Sequence, residues 1–122
     1  MISASIDFLL RTNADYGEEI SFTDGTEAID LSGLTFSMQV RSYPGGPLLF
    51  VVPVTVTNAA NGEVSITVAR DTIKNAYSMV TGRDYGDPII ASHDIMVKHV
   101  DDFIEPWAEG RVTIQPGVTE NG

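Results

Sequence analysis

Residues 27–41, Glu-Ala-Ile-Asp-Leu-Ser-Gly-Leu-Thr-Phe-Ser-Met-Gln-Val-Arg, carry the pattern that decides the fold. A turn comes first, and apolar residues then alternate with polar ones. The apolar members are Leu34, Phe36, Met38 and Val40. Because successive side chains of a strand point to opposite faces, the apolar set packs on a core while the polar set faces water or a partner. The alternation returns at 64–68 and 112–114, which predicts an antiparallel, sheet-built chain.

Turn signals divide the rest of the chain into short segments. Asp24-Gly25, Asn61-Gly62 and Asp101-Asp102 each predict a turn, and Tyr43 to Pro47 predicts a sharp reversal. Between these turns we expect strands at 4–11, 18–23, 34–42, 48–57, 63–69, 89–100 and 103–115. Their number and spacing are typical of an all-β sandwich of about seven strands.

Two interruptions of this pattern carry specific predictions. Pro53 cannot donate a ladder hydrogen bond, so it predicts an edge strand, a bulge or a break, and we expect a kinked strand over 48–57. Residues after 69 predict one short helical turn capped by Asp71, with Ile73 and Tyr77 on one face, where they would cover an open end of the sandwich.

Length and composition limit the organisation of the chain. The 122 residues form one domain, 1–122, and residues 1–4 and 116–122 are predicted to be flexible or ordered by a partner. No apolar run approaches the ~20 residues that a membrane span needs. The first residues do not resemble a secretory signal, so synthesis in the cytoplasm is expected. With no cysteine, disulfides and thiolate sites are excluded.

Seventeen acidic and seven basic residues give a formal net charge of −10. A field of this sign repels a phosphate backbone, so we expect no nucleic-acid partner. The charge has two remaining interpretations: solubility with protection of the sheet edges, or an acidic face that docks a basic partner.

Reactive side chains do not form a recognisable catalytic pattern. His93 and His99 are six residues apart in a predicted strand, about 20 Å if extended, which is too far to chelate one ion. There is no G-x-S-x-G elbow, P-loop or dinucleotide glycine pattern. The sequence therefore predicts no enzyme activity, no metal and no cofactor.

Candidate contact residues are aromatic side chains and the loop predicted at 78–88. Trp107 is either a plug in the sandwich or an exposed anchor at an interface. Phe50 lies in a strand that is apolar on both faces, which suits either the core or burial against a neighbouring subunit. The candidate interface residues are Trp107, Phe103, Tyr43, Tyr85, Arg83 and Asp84.

Residues 28–36, Ala-Ile-Asp-Leu-Ser-Gly-Leu-Thr-Phe, resemble the P-I-D-L-T-G-x-T-x segment of small immunoglobulin-like modules in tailed-bacteriophage virion proteins. In that family such modules form the N-terminal domain of upper-baseplate and tail-fibre attachment proteins. Further similar stretches follow in the family's order: Asn61-Gly62-Glu63-Val64, Asp71 to Ala76, His93-Asp94-Ile95 and Glu109-Gly110-Arg111-Val112-Thr113-Ile114. Two departures are a longer connection at 77–88 and a histidine, His93, where an aromatic is common.

The resemblance implies an immunoglobulin-like β-sandwich that is a structural component of a phage particle, in the tail, baseplate, neck or fibre-attachment region. Its partners would be other virion proteins and copies of itself, and its location the virion. Three alternatives come from other classes: a capsid decoration protein, a receptor-binding or carbohydrate-binding module, and an enzyme. A carbohydrate site would need an exposed aromatic platform, for which Trp107, Tyr43, Tyr77 and Tyr85 are the available residues.

Overall fold

Two β-sheets face each other and enclose one apolar core. The computed structural model describes residues 4–80 and 86–119. The elements in chain order are β1 (Ala4–Ser5), β2 (Phe8–Arg11), β3 (Tyr16–Ser21), β4 (Thr35–Arg41), β5 (Leu48–Val52), β6 (Val54–Asn58), β7 (Glu63–Val68), α1 (Arg70–Met79), β8 (Ile89–Lys98) and β9 (Ile104–Gln115). The prediction of an all-β sandwich is confirmed.

The strand order is that of an immunoglobulin-like sandwich. The larger, six-stranded sheet runs β1-β9-β8-β4-β5, with β2 also paired to β9, and the smaller sheet runs β3-β7-β6. These orders correspond to the G-F-C-C′ and B-E-D strands of the immunoglobulin fold. The larger sheet therefore has β5 at one edge and β1 and β2 at the other, while β3 and β6 are the two edges of the smaller sheet.

The first strand departs from the prediction of a purely antiparallel chain. It is divided into β1 and β2, and both pair with β9 in parallel and in one continuous register, from Ala4 opposite Ala108 to Arg11 opposite Gln115. The break at Ile6 and Asp7 is bridged from β9, because Asp7 Oδ1 accepts a 2.9 Å hydrogen bond from the Arg111 amide. Side-chain alternation predicts a strand but not its direction, so the parallel pairing was not visible in the sequence.

Pro53 marks the crossing from one sheet to the other. The predicted kinked strand 48–57 is two strands: β5 pairs with β4 in the larger sheet, and β6 pairs with β7 in the smaller one. The two divided segments raise the number of strands in the described residues to nine, against about seven predicted. Since only one residue joins them, β5 and β6 lie on the same side of the sandwich.

The helix is longer than predicted, and its cap is a different residue. It extends over ten residues from Arg70 to Met79, with Ala69 at the N-cap position and no capping hydrogen bond from that side chain. Asp71 lies in the first turn and is not the cap. Instead, Asp15 from the β2–β3 turn accepts a 2.8 Å bond from the Arg70 amide and forms a 3.0 Å ion pair with its guanidinium. Ile73 and Tyr77 are buried, as predicted.

The core comes from the inward-facing positions of both sheets. Met38 and Val40 are buried on β4, Ile66 on β7 and Ile95 on β8. Around them pack further apolar residues from the same and the other strands: Phe8, Leu10, Ile20, Phe50, Val52, Val64, Val68, Ala91, Val97, Val112 and Ile114. Burial of this alternate set is the main stabilising contribution available to a chain with no cysteine.

Candidate interaction surface

The predicted interface residues are placed in very different environments. Trp107 is only 4% exposed, and its ring packs edge-on against Phe22 and Phe36, with centroids 5.2 and 5.9 Å away. Of the two interpretations given above, Trp107 therefore fills the interior of the sandwich. A side chain this deeply buried leaves almost no surface for a partner to contact. Phe103 and Tyr43 are each 60% exposed. Arg83, Asp84 and Tyr85 lie outside the described residues.

Phe103 and Tyr43 cannot belong to one contact site. Tyr43 follows the C-terminal end of β4. Phe103 lies in the turn between β8 and β9, which begins just after Lys98. Lys98 pairs with Thr35, at the N-terminal end of β4. The length of a seven-residue strand, roughly 20 Å, separates the two ends. Tyr77 is buried, and its hydroxyl donates a 2.7 Å hydrogen bond to the Asp87 carbonyl. The described aromatic residues thus form no shared platform.

The β8–β9 turn that carries Phe103 is held rigidly. The His99 amide donates to the Phe103 carbonyl at 2.8 Å, and the Phe103 amide donates to Asp101 Oδ1 at 3.1 Å. Asp102 has a φ of 68°, the left-handed conformation that a tight reversal requires. His99, which was predicted to lie in the strand, is the first residue after the end of β8. Its Nε2 atom is 2.8 Å from Glu105 Oε2. The turn presents Val100, Phe103 and Ile104 to solvent.

The outer face of the larger sheet forms an open, polar groove. Its volume is about 530 Å³, and its walls include Gln39, Arg41, Asp94 and Glu109. Asp94 and Glu109 are directly opposite each other across β8 and β9, an unfavourable arrangement of like charges. Arg41 is engaged with the Gly46 carbonyl at 2.8 Å and with Gln39 Oε1 at 2.9 Å. In residues 4–80 and 86–119, no group of three or more histidine, aspartate or glutamate side chains could hold a metal ion.

The strand edges differ in how well they are guarded against pairing. The β3 edge carries Glu18 and Glu19, and the β1–β2 edge is broken at Ile6 and Asp7. The β6 edge has a register shift between Val56 and Asn58. By contrast, β5 reads Leu-Leu-Phe-Val-Val, without a charge or a proline inside it, although it is an outermost strand. Charges, breaks and bulges are the usual protection of edges, and β5 has no charge but does have an irregularity: Val40 is opposite Phe50 and Arg41 is opposite Leu48, so Leu49 is an extra residue on β5.

The whole side formed by β5 and β6 is free of charge in sequence. No acidic or basic residue occurs in residues 42–62, which include both strands and the turns beside them. The whole chain has seventeen acidic and seven basic residues. Tyr43, Leu48, Val51 and Val56 are exposed there. We call residues 42–62 the uncharged flank. It was visible in the sequence as a gap in the charge pattern, but only the sheet order shows that its two strands are both edges.

Among residues 4–80 and 86–119, two titratable groups have shifted pKa values. Burial raises the pKa of Tyr16 to about 12, and the neighbouring carboxylate of Glu18 adds to the shift. Hydrogen bonds from the hydroxyl and amide of Ser32, at 2.7 and 3.0 Å, lower the pKa of the Asp30 carboxyl. The Asp30–Ser32 contacts build the turn that leads into β4, in which Leu31 is buried and Gly33 has a positive φ. The Asp-Leu-Ser-Gly motif thus has a local structural role.

Part of the predicted flexible C-terminal segment is bound to the sandwich. The Gly117 amide donates to Thr12 Oγ1 at 2.9 Å, and the Asn13 side chain donates to the Thr119 carbonyl at 2.8 Å. These bonds hold residues 117–119 beside the β2–β3 turn. None of the described helices is long and apolar enough to span a bilayer.

Comparisons with known proteins leave the family open. No family model matches the chain, and no curated protein does. A solved family 123 glycoside hydrolase from Clostridium perfringens, described for glycolipid glycan hydrolysis, matches 94% of this chain with 13% identity and a TM-score of 0.40. The match corresponds to 23% of the hydrolase chain. A likeness this weak carries no argument about the activity of the present chain.

Proposed function

We propose that this chain is a structural component of a bacteriophage particle and acts by protein–protein contact in the tail, baseplate, neck or fibre-attachment region. The observation that carries the contact role is the uncharged flank, in which Leu48, Val51 and Val56 are exposed on the edge strands β5 and β6. An apolar strand with free main-chain groups is suited to receive a strand or an apolar surface from another subunit. The phage setting rests on the resemblance of residues 28–36 and the later segments to virion modules.

Support for the resemblance comes from what the matching residues do in the fold. Asp30 and Ser32 form the turn before β4, and Gly62 has a φ of 71° in the turn before β7. A side chain at Gly110 would collide with the Ile6 carbonyl. These residues of three of the five resembling segments therefore occupy positions where the sandwich needs that residue type, which supports the resemblance as one of fold.

Non-enzymatic action is part of the proposal. The groove has two opposed carboxylates and is also lined by Ser5, Ser92 and His93. Among the described residues neither serine is hydrogen-bonded to His93, because its Nε2 contacts the Ile6 oxygen and its Nδ1 has no hydrogen-bond partner. A glycan-binding role has less support than assembly, because Trp107 and Tyr77 are buried and the exposed Tyr43 and Phe103 are at opposite ends of β4. Stacking on a sugar ring needs adjacent, exposed aromatic faces.

The test is to look for the chain in particles. Virions of the phage or prophage that encodes it would be purified by density gradient and analysed by quantitative mass spectrometry, with particles from a gene-deleted phage as the control. We expect the chain in stoichiometric amount, and labelling of a tagged copy should map it to the tail or its attachment region. Labelling over the capsid surface would support the decoration alternative instead. Absence from mature particles would overturn the proposal.

A further inference from the structure

The outward faces of the two sheets differ in composition. On the smaller sheet, the outward positions carry polar residues and one glycine: Gly17, Glu19, Ser21, Thr55, Asn58, Glu63, Ser65 and Thr67. On the larger sheet, exposed apolar residues occupy several outward positions: Leu9, Leu48, Val51, Ile90 and Ile104. A partner that covers the larger sheet therefore removes apolar surface from water, and a partner on the smaller sheet does not.

The charge on the outward face of the larger sheet is balanced, unlike that of the whole chain. A formal charge of −10 repels a second copy over most of the surface. On this face, however, the strands place basic and acidic residues together: Arg11, Arg41, Lys98, Arg111, Asp94 and Glu109. With Asp7 beside Arg111, and Asp102 paired to Lys98 at 3.2 Å, acidic and basic groups are equal in number. A second copy therefore meets little net repulsion here.

Two neighbouring rows of outward side chains cross four strands of this sheet, from β5 through β4 and β8 to β9. The first row is Leu48, Arg41, Ser92 and Arg111. The second row is Val51, Gln39, Asp94 and Glu109. Leu49 is the extra residue on β5, so Leu48 and Val51 both point outward. Strand by strand, the two rows match an apolar residue with an apolar one and a basic residue with a polar or acidic one.

We propose that two copies of the chain pack face to face through the outward faces of their larger sheets, about a two-fold axis that runs across the strands between these two rows. The axis sets each row against the other row of the second copy, so that Arg111 meets Glu109 and Leu48 meets Val51. A two-fold interface requires such a self-complementary surface. An axis along β8 would instead set Arg41 against Arg111, so the charges select the first axis.

The dimer supplies a counter-charge that the single chain lacks. Asp94 and Glu109 are directly opposite each other, and neither forms an ion pair within residues 4–80 and 86–119. Arg111 of the second copy would lie over this pair, where a guanidinium can donate to carboxylate oxygens. The groove of about 530 Å³ over these rows leaves room for bridging water, which is usual in polar interfaces.

The size of the face sets the expected strength. From Ile90 to Lys98 the sheet is roughly 26 Å long, and its four strands from β9 to β5 are roughly 19 Å wide. Each copy would cover roughly 500 Å², which is less than the ~800 Å² per partner of a stable complex. We therefore expect a weak dimer, with a Kd of roughly 10 μM to 1 mM. Its place in a particle, where other contacts raise the effective concentration, rests on the proposed function.

Sedimentation velocity on the purified chain tests the dimer. Wild-type protein should shift from monomer to dimer as its concentration rises from about 10 μM to 1 mM. Arg111→Glu, at an exposed position, sets carboxylates against each other at both symmetric contacts, and it should weaken the dimer at least about tenfold. The matched control is Lys74→Glu, which makes the same change in net charge at an exposed position of α1. It should leave the dissociation constant within about twofold of wild type.

An exchange of two charges within the chain tests the position of the axis. Glu109→Arg sets arginines against each other, and it should weaken the dimer at least about tenfold although it makes the chain less acidic. The double variant Glu109→Arg with Arg111→Glu has the wild-type net charge and restores opposite charges at both contacts. It should dimerise within about threefold of wild type. Circular dichroism of each variant checks that the sandwich is retained.

Four outcomes would overturn the inference. They are a wild-type chain that stays monomeric at about 1 mM, an Arg111→Glu variant that dimerises like wild type, an equal loss in Lys74→Glu, and a double variant as weak as the two single ones. If a monomeric chain were nevertheless found in virions, the proposed function would stand and this interface would be wrong. A dimer whose chain is absent from virions would keep the interface and remove its proposed setting.

Discussion

The Nε2 atom of His93 lies 2.6 Å from the main-chain oxygen of Ile6. Gly110 is the residue opposite His93 on β9, and its lack of a side chain leaves the space that the Ile6 carbonyl occupies. The contact joins the core of β8 to the break between β1 and β2. His93 Nδ1 is buried and has no hydrogen-bond partner among the described residues, so the ring donates from Nε2 to Ile6.

Replacing His93 by Phe should therefore destabilise the chain. The ring would still pack on Phe8, whose centroid is 4.9 Å away, but the Ile6 oxygen would lose its donor. Because Ile6 is only partly buried, the loss of this bond should cost about 1 kcal/mol in the free energy of unfolding. Urea unfolding measures the loss. His93→Gln, which keeps a donor on a flexible side chain, should recover part of it, and equal stability of wild type and His93→Phe would contradict the role of the bond.

Gly110→Ala should displace the first strand. A Cβ atom at this position would collide with the carbonyl group of Ile6, and that oxygen belongs to the backbone and cannot rotate away. We expect a loss of more than about 1 kcal/mol in the free energy of unfolding and faster amide exchange in residues 4–11. Gly17→Ala is the matched control, because its Cβ would meet only the Thr67 methyl at 4.0 Å. Similar losses in both variants would refute the steric argument.

Trp107→Ala should cost about 3–5 kcal/mol in the free energy of unfolding, because it leaves a cavity beside the stacked rings of Phe22 and Phe36. Phe103→Ala removes an aromatic ring of comparable size from an exposed turn, and it should change stability by less than about 0.5 kcal/mol. Thermal unfolding of both variants and of the wild type compares their losses of stability. A small effect at Trp107 would mean that this side chain is available for contacts after all.

Stability should fall between pH 10 and pH 12 because of Tyr16. Its pKa is about 12 in the folded chain and 10.0 in the unfolded one, so the folded state retains the phenolic proton over that interval while the unfolded state releases it. The contribution is complete below pH 10 and is lost as the pH approaches 12. Tyr16→Phe should flatten the urea midpoint across this range. Tyr43→Phe, at an exposed position, should retain the fall, and identical profiles for all three proteins would exclude Tyr16 as its source.

The alternating strands were predictable because burial on one face leaves a period of two in the sequence. β4 was expected at 34–42 and extends from Thr35 to Arg41, and β5 and β6 together cover the segment 48–57 that was expected as one kinked strand. Asp101 and Asp102 form the predicted turn. In each case the deciding interactions are local, so the residues themselves carry the information.

Features set by distant parts of the chain were not predictable. Asp15 caps α1 from 55 residues away, so the nearer Asp71 looked like the better candidate. The parallel direction of β1 and β2 depends on where β9 lies. Trp107 sits beside Pro106, where the register between β8 and β9 shifts, and the shift interrupts the alternation that would have assigned its side chain to the core. For the uncharged flank, the composition was visible but the sheet order was not.

The prolines directly before and after β5 limit the length over which another strand could pair with its free edge. Neither Pro47 nor Pro53 has an amide hydrogen to extend a ladder, so an added strand gains hydrogen bonds only along one short segment. On the smaller sheet, the β3 edge carries Glu18 and Glu19, whose charges disfavour the addition of a strand there. Short pairing segments on one side and carboxylates on the other together limit the growth of amyloid-like fibrils.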